Sequence, residues 1–387
     1  FRRSWGNDRG TYRFDGRYSG FGVADMLLGL PNQATRALGD SHSYLLETEM
    51  MFFFQDDFRI TPRLTLNLGL RYENVTPWYD KFDRMSSYNP ATNTIEIAGK
   101  PTAQREYLRV DTLDQQIKAI SAQLKFADLG QHAMFAHDNN NFMPRIGFAW
   151  DPRGNGKQIV RGGAGVFFTT LTTAQDLGNN YPFRLGSQTF TNTSVPASRI
   201  MPPETFTLVN SFAGQGTATI NIIGRQKSFQ NGYTTKWSLG QQLQFLKDFV
   251  LDVDYSGSVT RKYDTTININ QPPPGPGNVS NRRPIPVYGS ISMVESSLNA
   301  SYNSLQTRVE RRYNSGLTLT NSYTWQKVLT VGSTGQDPSN RRGDKGPDAI
   351  DFRHRWALSV VYELPFGTGR RFLSSAPALV NGFLGGW

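Results

Sequence analysis

The sequence predicts an all-β protein: an antiparallel transmembrane β-barrel, partial, with roughly ten meander strands joined by long extracellular loops. Three observations predict it. Apolar and polar residues alternate with a period of two over stretches of bilayer-spanning length. The alternation recurs along the chain. The connections between stretches alternate between very short and very long. Leu64 to Tyr72 shows the pattern plainly, with Leu64, Leu66, Leu68, Leu70 and Tyr72 on one face and Thr65, Asn67, Gly69 and Arg71 on the other. A spanning strand needs about 9–11 residues, whereas soluble strands average about five or six.

The strands follow in order. Met50, Phe52, Phe54, Phe58 and Ile60 oppose Glu47, Glu49, Gln55 and Asp57. After Leu64–Tyr72, Ile146, Phe148 and Trp150 oppose Arg145, Gly147 and Ala149. Val160, Ala164, Val166 and Phe168 oppose Arg161, Gly163 and Gly165. Trp237, Leu239, Leu243 and Phe245 oppose Ser238, Gly240, Gln242 and Gln244. Phe249, Leu251, Val253 and Tyr255 oppose Asp252, Asp254 and Ser256. Leu305, Thr307, Val309 and Tyr313 oppose Gln306, Arg308, Glu310 and Arg312, and Leu317, Leu319, Tyr323 and Trp325 oppose Thr318, Thr320, Ser322 and Thr324. Trp356, Leu358, Val360, Tyr362 and Leu364 oppose Ala357, Ser359 and Glu363. The polar faces hold Gly, Ser, Thr, Gln and charges of both signs, as a wet lumen requires.

Short connections fall at Thr61–Arg63, Asp151–Lys157, Leu246–Asp248, Asn314–Gly316 and Pro365–Arg371. Long ones fall at roughly 73–141, 169–232, 257–300 and 329–350. Short turns belong on the periplasmic side and long loops outside the cell. The long loops read as polar and without hydrophobic period. Within the first, Leu113, Ile117, Ile120 and Leu124 have helical spacing and predict a short helix between Asp111 and Leu129. Phe21 to Leu30 is apolar at mixed spacing before Pro31 and reads as a short helix or a capped strand. Residues 1–43 therefore form a first strand or short-helix region with a loop, and residues 44–387 the barrel segment. The chain opens at Phe1 and stops within the apolar run Leu379 to Trp387, which reads as the start of another strand. The expectation is an internal piece of a longer protein, incomplete at both ends.

Composition agrees. Apolar residues make up 37% and mean hydropathy is -0.47, values that hide a barrel because half of each strand is polar. No apolar run reaches the length of a spanning helix. Aromatics reach 12%, and rings such as Tyr72, Trp78, Tyr79, Trp150, Trp237, Tyr255 and Trp325 lie near strand ends, where interfacial girdles want them. With no cysteine, disulfide and thiolate chemistry are excluded. The formal charge is +10 with pI near 9.7, but Lys and Arg are spread over turns, strand ends and loops rather than clustered with stacking aromatics, so no nucleic-acid partner is expected. Rim cations suit outer-membrane lipid and lipopolysaccharide, and they draw anionic solutes towards a pore.

Phe54 to Glu73, reading FQDDFRITPRLTLNLGLRYE, resembles a barrel hairpin of TonB-dependent outer-membrane receptors. Arg145–Trp150 followed by Arg161–Phe167 resembles the next hairpin, and Asp351–Trp356 with Leu364–Gly367 a later one. The set is most similar to the Oar-like subgroup, and the likeness covers the strands from about residue 44 onward. The resemblance implies a barrel of roughly 22 strands in the outer membrane of a Gram-negative-type bacterium, plugged by an N-terminal globular domain. It also implies import of a scarce solute with TonB energy, of siderophore, oligosaccharide or peptide class. This chain shows no recognisable plug and no TonB-contact segment. The alternatives are a non-transporting adhesin or structural barrel, and a soluble all-β binding protein.

Candidate sites are few. Asp337, Asp344, Asp348 and Asp351 cluster with Arg341, Arg342, Lys345, Arg353 and Arg355. Arg341, Arg342, Asp344, Arg353 and Arg355 are the candidate ligand-contacting loop residues. The same cluster also reads as a self-neutralising solvated loop, since its spacing matches no calcium loop. Arg342-Gly343-Asp344 spells an adhesion tripeptide by chance. His132 and His137 lack an acidic pattern that would make them a metal pair. Asp56 and Asp57 are adjacent in a strand and point to opposite faces, so they cannot share a proton. No nucleophile elbow or phosphate loop is present, and neither enzyme activity nor a cofactor is expected. Gly163 and Gly165, on the lumen face beside Arg161, read either as sites of close approach to the wall or as strand kinks.

Overall fold

The computed structural model describes residues 2–4, 10–39, 42–107, 109, 118, 121–169, 177–178, 180–191, 208, 220–314, 316–331, 337, 340–375 and 377–384. The chain begins with β1 (Arg2–Ser4), β2 (Thr11–Arg13), a helix at Gly22–Leu27, β3 (Gln33–Gly39) and β4 (His42–Leu46). A hairpin of β5 (Glu49–Thr61) and β6 (Leu64–Val75) follows. The first long excursion holds β7 (Tyr79–Asp80), β8 (Ser86–Asn89), β9 (Thr94–Ile97), a helix at Ala103–Tyr107 and β10 (Phe126–Asp128). Next come β11 (Asn141–Trp150) and β12 (Gln158–Phe168), and a second excursion with β13 (Arg184–Thr191) and β14 (Ile220–Arg225). Then β15 (Tyr233–Leu246), β16 (Phe249–Asn268), β17 (Tyr288–Asn314) and β18 (Leu317–Val331) run in succession. The short β19 (Lys345–Pro347), β20 (His354–Tyr362) and a helix at Ala378–Leu384 complete the chain.

One sheet of 11 strands dominates. Setting aside β14 and β19, it is an antiparallel meander of nine strands in the order β5-β6-β11-β12-β15-β16-β17-β18-β20. Each pairs with its sequence neighbour in the wall, and the register keeps like faces together: Leu68 lies opposite Ile146, and Asn67 opposite Gly147. The outward apolar face is uncovered, with Phe54 71%, Ile146 56% and Trp356 66% exposed. A water-soluble sheet would bury that face; lipid solvates it here. The tight turns work as their residues dictate. At Asp151–Lys157 the Asp151 carboxylate accepts from the backbone N–H groups of Gly154 and Gly156, both at 2.8 Å, and both glycines have positive φ. Those donors hold the Asp151 carboxyl below its ordinary range, led by the Gly156 N–H.

The buried core lies elsewhere, at the long-connection end. β8, β9 and β10 form a small sheet, and β14 runs parallel to β17 and packs on β8. One cluster joins Tyr88, Ile95, Tyr181, Leu185, Ile222 and Ile291; a second joins Leu45, Met85, Met134, Phe135, Phe229 and Val294. Buried polar groups tie this cap together. Asn180 Nδ2 donates to the carbonyls of Ser86 at 3.0 Å and Ile223 at 2.7 Å, and its Oδ1 accepts from Ile223 N–H at 3.0 Å. Asp80, fully buried, accepts from Tyr44 N–H at 2.8 Å and pairs with Arg84 at 3.1 Å.

Four expectations need correction. The stretches 73–141 and 169–232 are not featureless loops: they supply most of the packed core. The 257–300 connection is largely strand, because β16 runs on to Asn268 and β17 starts at Tyr288, leaving only residues 269–287 between them. The reason is a second partner, since β14 gives the extended β17 edge another ladder and buries Ile291 and Met293. Leu379 onward is helical to Leu384 rather than the start of a strand; Leu379 and Phe383 fall on one face at i and i+4. Trp78 packs against the second core cluster instead of joining an interfacial girdle. Phe21–Leu30 resolves as the helix Gly22–Leu27. Of the helix expected between Asp111 and Leu129, Lys118 and Ser121 are helical and Phe126–Asp128 is strand, while the rest of its length falls outside the described residues.

Candidate functional site

The inner face of the wall is built by strand parity and register. Crossing from β6 to β17, one row reads Gly69, Arg145, Gly165, Lys236, Ser258 and Tyr302. The row beside it reads Asn67, Gly147, Gly163, Ser238, Ser256 and Ser304. A third carries Arg161, Gly240, Asp254, Gln306, Thr324 and Arg355. The first row alternates small residues with Arg145, Lys236 and Tyr302, the second is poor in side-chain bulk, and the third is ionic. Arg161 Nη2 lies 3.4 Å from Asp254 Oδ1 and 3.9 Å from Asp252 Oδ1. Further along β17, Arg308 pairs with Glu310 at 2.7 Å. Such exposed pairs add at most about 1 kcal/mol each, but they fix where free charge remains.

Two cavities open on this wall. The first, of about 490 Å³, is lined by Arg145, Gly163, Gly165, Phe167, Lys236 and Tyr302 together with serines. The second, of about 560 Å³, is lined by Tyr302, Gln306, Gln326, Phe352 and Arg355 among others. Tyr302 borders both. A third cavity of about 450 Å³ lies in the cap beside Tyr88, Met293 and the Glu96–Lys227 ion pair, whose atoms approach to 2.7 Å.

The five sequence-predicted loop residues separate in space. Arg341 Nη1 pairs with Glu295 Oε1 at 2.8 Å and also donates to Ser297 Oγ, fastening the turn Arg341–Asp344 to β17. Arg342 is exposed on that turn, and Asp344 is half-buried. Arg353 pairs with Asp351 at 3.1 Å, and Asp351 Oδ1 accepts from Val328 N–H, so this pair closes the β18–β20 connection. Arg355, of the five, lines the second wall cavity. Asp348 accepts from Thr330 Oγ1 and Ile350 N–H, again a loop brace. His132 Nδ1 sits 2.5 Å from Asp83 Oδ1 and its ring packs beside Tyr79. Among the described residues, no group of three or more His, Asp or Glu is placed to hold a metal ion. Asp57 accepts from Asn67 Nδ2 at 2.6 Å on the inner face, while Asp56 lies opposite Leu68 on the outer face.

Sequence reasoning missed Lys236, Phe167 and Tyr302. Parity alone puts each on the inner face, but it takes the cross-strand register to show that Arg145 and Lys236 flank the same glycine, Gly165.

The family described as outer membrane beta barrel domain matches residues 2–387, and the chain belongs to that family. It is therefore an outer-membrane protein, and the soluble all-β alternative is set aside. Its fold is similar to that of the ferripyoverdine receptor of the outer membrane of Pseudomonas aeruginosa, at 10% identity and TM-score 0.39 over 87% of this chain and 27% of that one. It is similar also to the copper transporter OprC, at 11% identity and TM-score 0.41 over 86% of this chain and 38% of that one. The FrpB iron transporter from Neisseria meningitidis aligns at 9% identity and TM-score 0.37, over 86% of this chain and 44% of that one. The chain spans less than half the length of each of these structures. No curated protein sequence matches it.

Proposed function

We propose that this chain is the barrel portion of a TonB-dependent importer of the Oar-like subgroup, residues 44–387 forming wall and cap and residues 1–43 a leading segment. In this reading it works with a plug domain and the TonB system to bring in a scarce solute. The observation that carries the reading is the pairing of a wet, charged inner wall with a packed cap over one end. A purely structural barrel needs neither wall cavities nor a cap with its own core, whereas an importer needs a surface to meet solute and a polar route inward. The hairpin motifs Phe54–Glu73 and Arg145–Phe167 support the same reading.

The test compares cells lacking the gene, cells lacking TonB and the parent strain in one defined medium. Depletion of individual solutes is followed by mass spectrometry. The importer reading expects one solute class to be spared in both mutants alike. Identical depletion profiles in the parent and the gene deletion refute it, and so does a loss that does not depend on TonB.

A further inference from the structure

We propose that the 490 Å³ wall cavity is a binding station for oxyanions, taking a carboxylate- or phosphate-bearing solute between Arg145 and Lys236. Both cations lie on the inner face, and both contact one ring. The Arg145 guanidinium is 4.8 Å from the Phe167 centroid and the Lys236 ammonium 5.3 Å from it. Among the described residues neither cation has a carboxylate within ion-pair distance, unlike Arg161, Arg308, Arg341 and Arg353. The ring holds the two charges close together without neutralising either. The flanking ionic pairs cannot cancel them, because Glu73 already pairs with Arg71 at 2.6 Å on one side, and Asp254 and Asp252 already face Arg161 on the other.

The space between the cations is kept open by glycine. Arg145 has Gly69 and Gly165 as its cross-strand neighbours, and Lys236 has Gly165 and Ser258. A Cβ on Gly165 would lie 3.2 Å from Arg145 Cγ and 3.3 Å from Phe167 Cε2, crowding the stack. Around this floor stand the hydroxyls of Ser238, Ser256 and Ser258, able to donate to an anion's oxygens, and that of Tyr302, which donates at 3.5 Å to Gln326 Oε1 and would turn from it to meet an anion. Two unneutralised cations, a ring of hydroxyl donors and no carboxylate form a site for a polyvalent oxyanion, with bidentate capture by Arg145 and a point charge from Lys236. A neutral sugar would leave both cations uncompensated. The chain's net positive charge favours the approach of such a solute.

The physiological role rests on the importer reading, but the binding does not, so it is measured without uptake. The whole protein in detergent micelles is titrated with citrate and with inorganic phosphate by calorimetry at low salt, with sucrose as the neutral control. The expected result is saturable citrate binding, weaker phosphate binding and none of sucrose. Arg145→Gln and Lys236→Gln should each weaken citrate at least about tenfold, the double variant should abolish it, and Lys236→Arg should retain it within about threefold. Arg161→Gln, which alters a paired cation, should leave it within about threefold. Heat-modifiable migration on gels confirms that each variant is folded. Citrate affinity unchanged in the folded double variant overturns the site, and equal losses in Arg161→Gln reduce it to a diffuse field. Absence of citrate binding in the wild type also overturns it, since an acidic segment of the protein itself would then own the cations. Citrate binding as expected with no TonB-linked uptake would keep the site and remove the importer reading.

Discussion

Ile146→Arg is the sharpest test of which face meets lipid. Ile146 is 56% exposed on the outer face, between Leu68 of β6 and Ala164 of β12. It is four residues from Trp150 at the turn and four from Phe142 at the other end of β11. With a rise of about 3.4 Å per residue and a tilt near 40°, that is about 10 Å either way, the middle of an apolar band roughly 25 Å tall. An arginine there should cost about 2–4 kcal/mol, or roughly 30- to 900-fold in the folding equilibrium. Its cross-strand neighbours offer no counter-charge. Leu68→Arg is a milder lesion, because Asp56 is its partner in β5 on the same face. Asn67→Arg points inward, beside Gly147 and the Asp57 carboxylate, and should cost less than about 1 kcal/mol. The assay is the heat-modifiable, membrane-extracted band in the outer-membrane fraction, complemented by urea titration of the refolded protein. The expected order of damage is Ile146→Arg, then Leu68→Arg, then Asn67→Arg. Equal damage from Ile146→Arg and Asn67→Arg would refute the assignment of faces.

Two buried cap residues and one carboxylate beside β5 give three further predictions. Ile95→Ala empties a fully buried position in the first cluster and should destabilise the cap by about 2–5 kcal/mol, read as faster protease cleavage within 73–141 while wall fragments persist; uniform loss of the whole band would show that cap and wall fold as one unit. Asp80→Asn strips the charge partner from buried Arg84, for a cost of about 3–5 kcal/mol; a thermal midpoint within experimental error of wild type would contradict that. Glu47, at the entry to β5, has its carboxyl pushed up to about 7 by burial and by the neighbouring Glu49 carboxylate. Its folded value lies above its unfolded one, so the stability it allows is complete below about pH 4.5 and is lost as pH rises through 7. Glu47→Gln should therefore gain about 1 kcal/mol at pH 8, after discounting for solvent screening, and nothing at pH 4; an equal effect at both pH values would discard the explanation.

The sequence by itself determined the wall. A period of two in Leu64–Tyr72, Trp237–Phe245 and Leu317–Trp325 leaves the backbone one way to put its leucines and aromatics in oil and its serines and charges in water. The tight turns were legible too, because Asp151 with Gly154 and Gly156 names its own geometry. Only the tertiary structure decided what depends on pairing. Ile95, Ile222 and Ile291 look like scattered apolar residues in long connections, and they become a core only when β14 docks on β17 and β8. Arg341 and Arg353 looked like loop cations open to a ligand, but each is held by one carboxylate, Glu295 or Asp351, and braces a turn. Arg145 and Lys236 stand 91 positions apart in the sequence and share a glycine, a ring and a cavity because β11, β12 and β15 lie side by side in one particular register. Alternation is a local property and survives in one dimension. Which free charge meets which is a property of strand register across the sheet, and no single strand carries it.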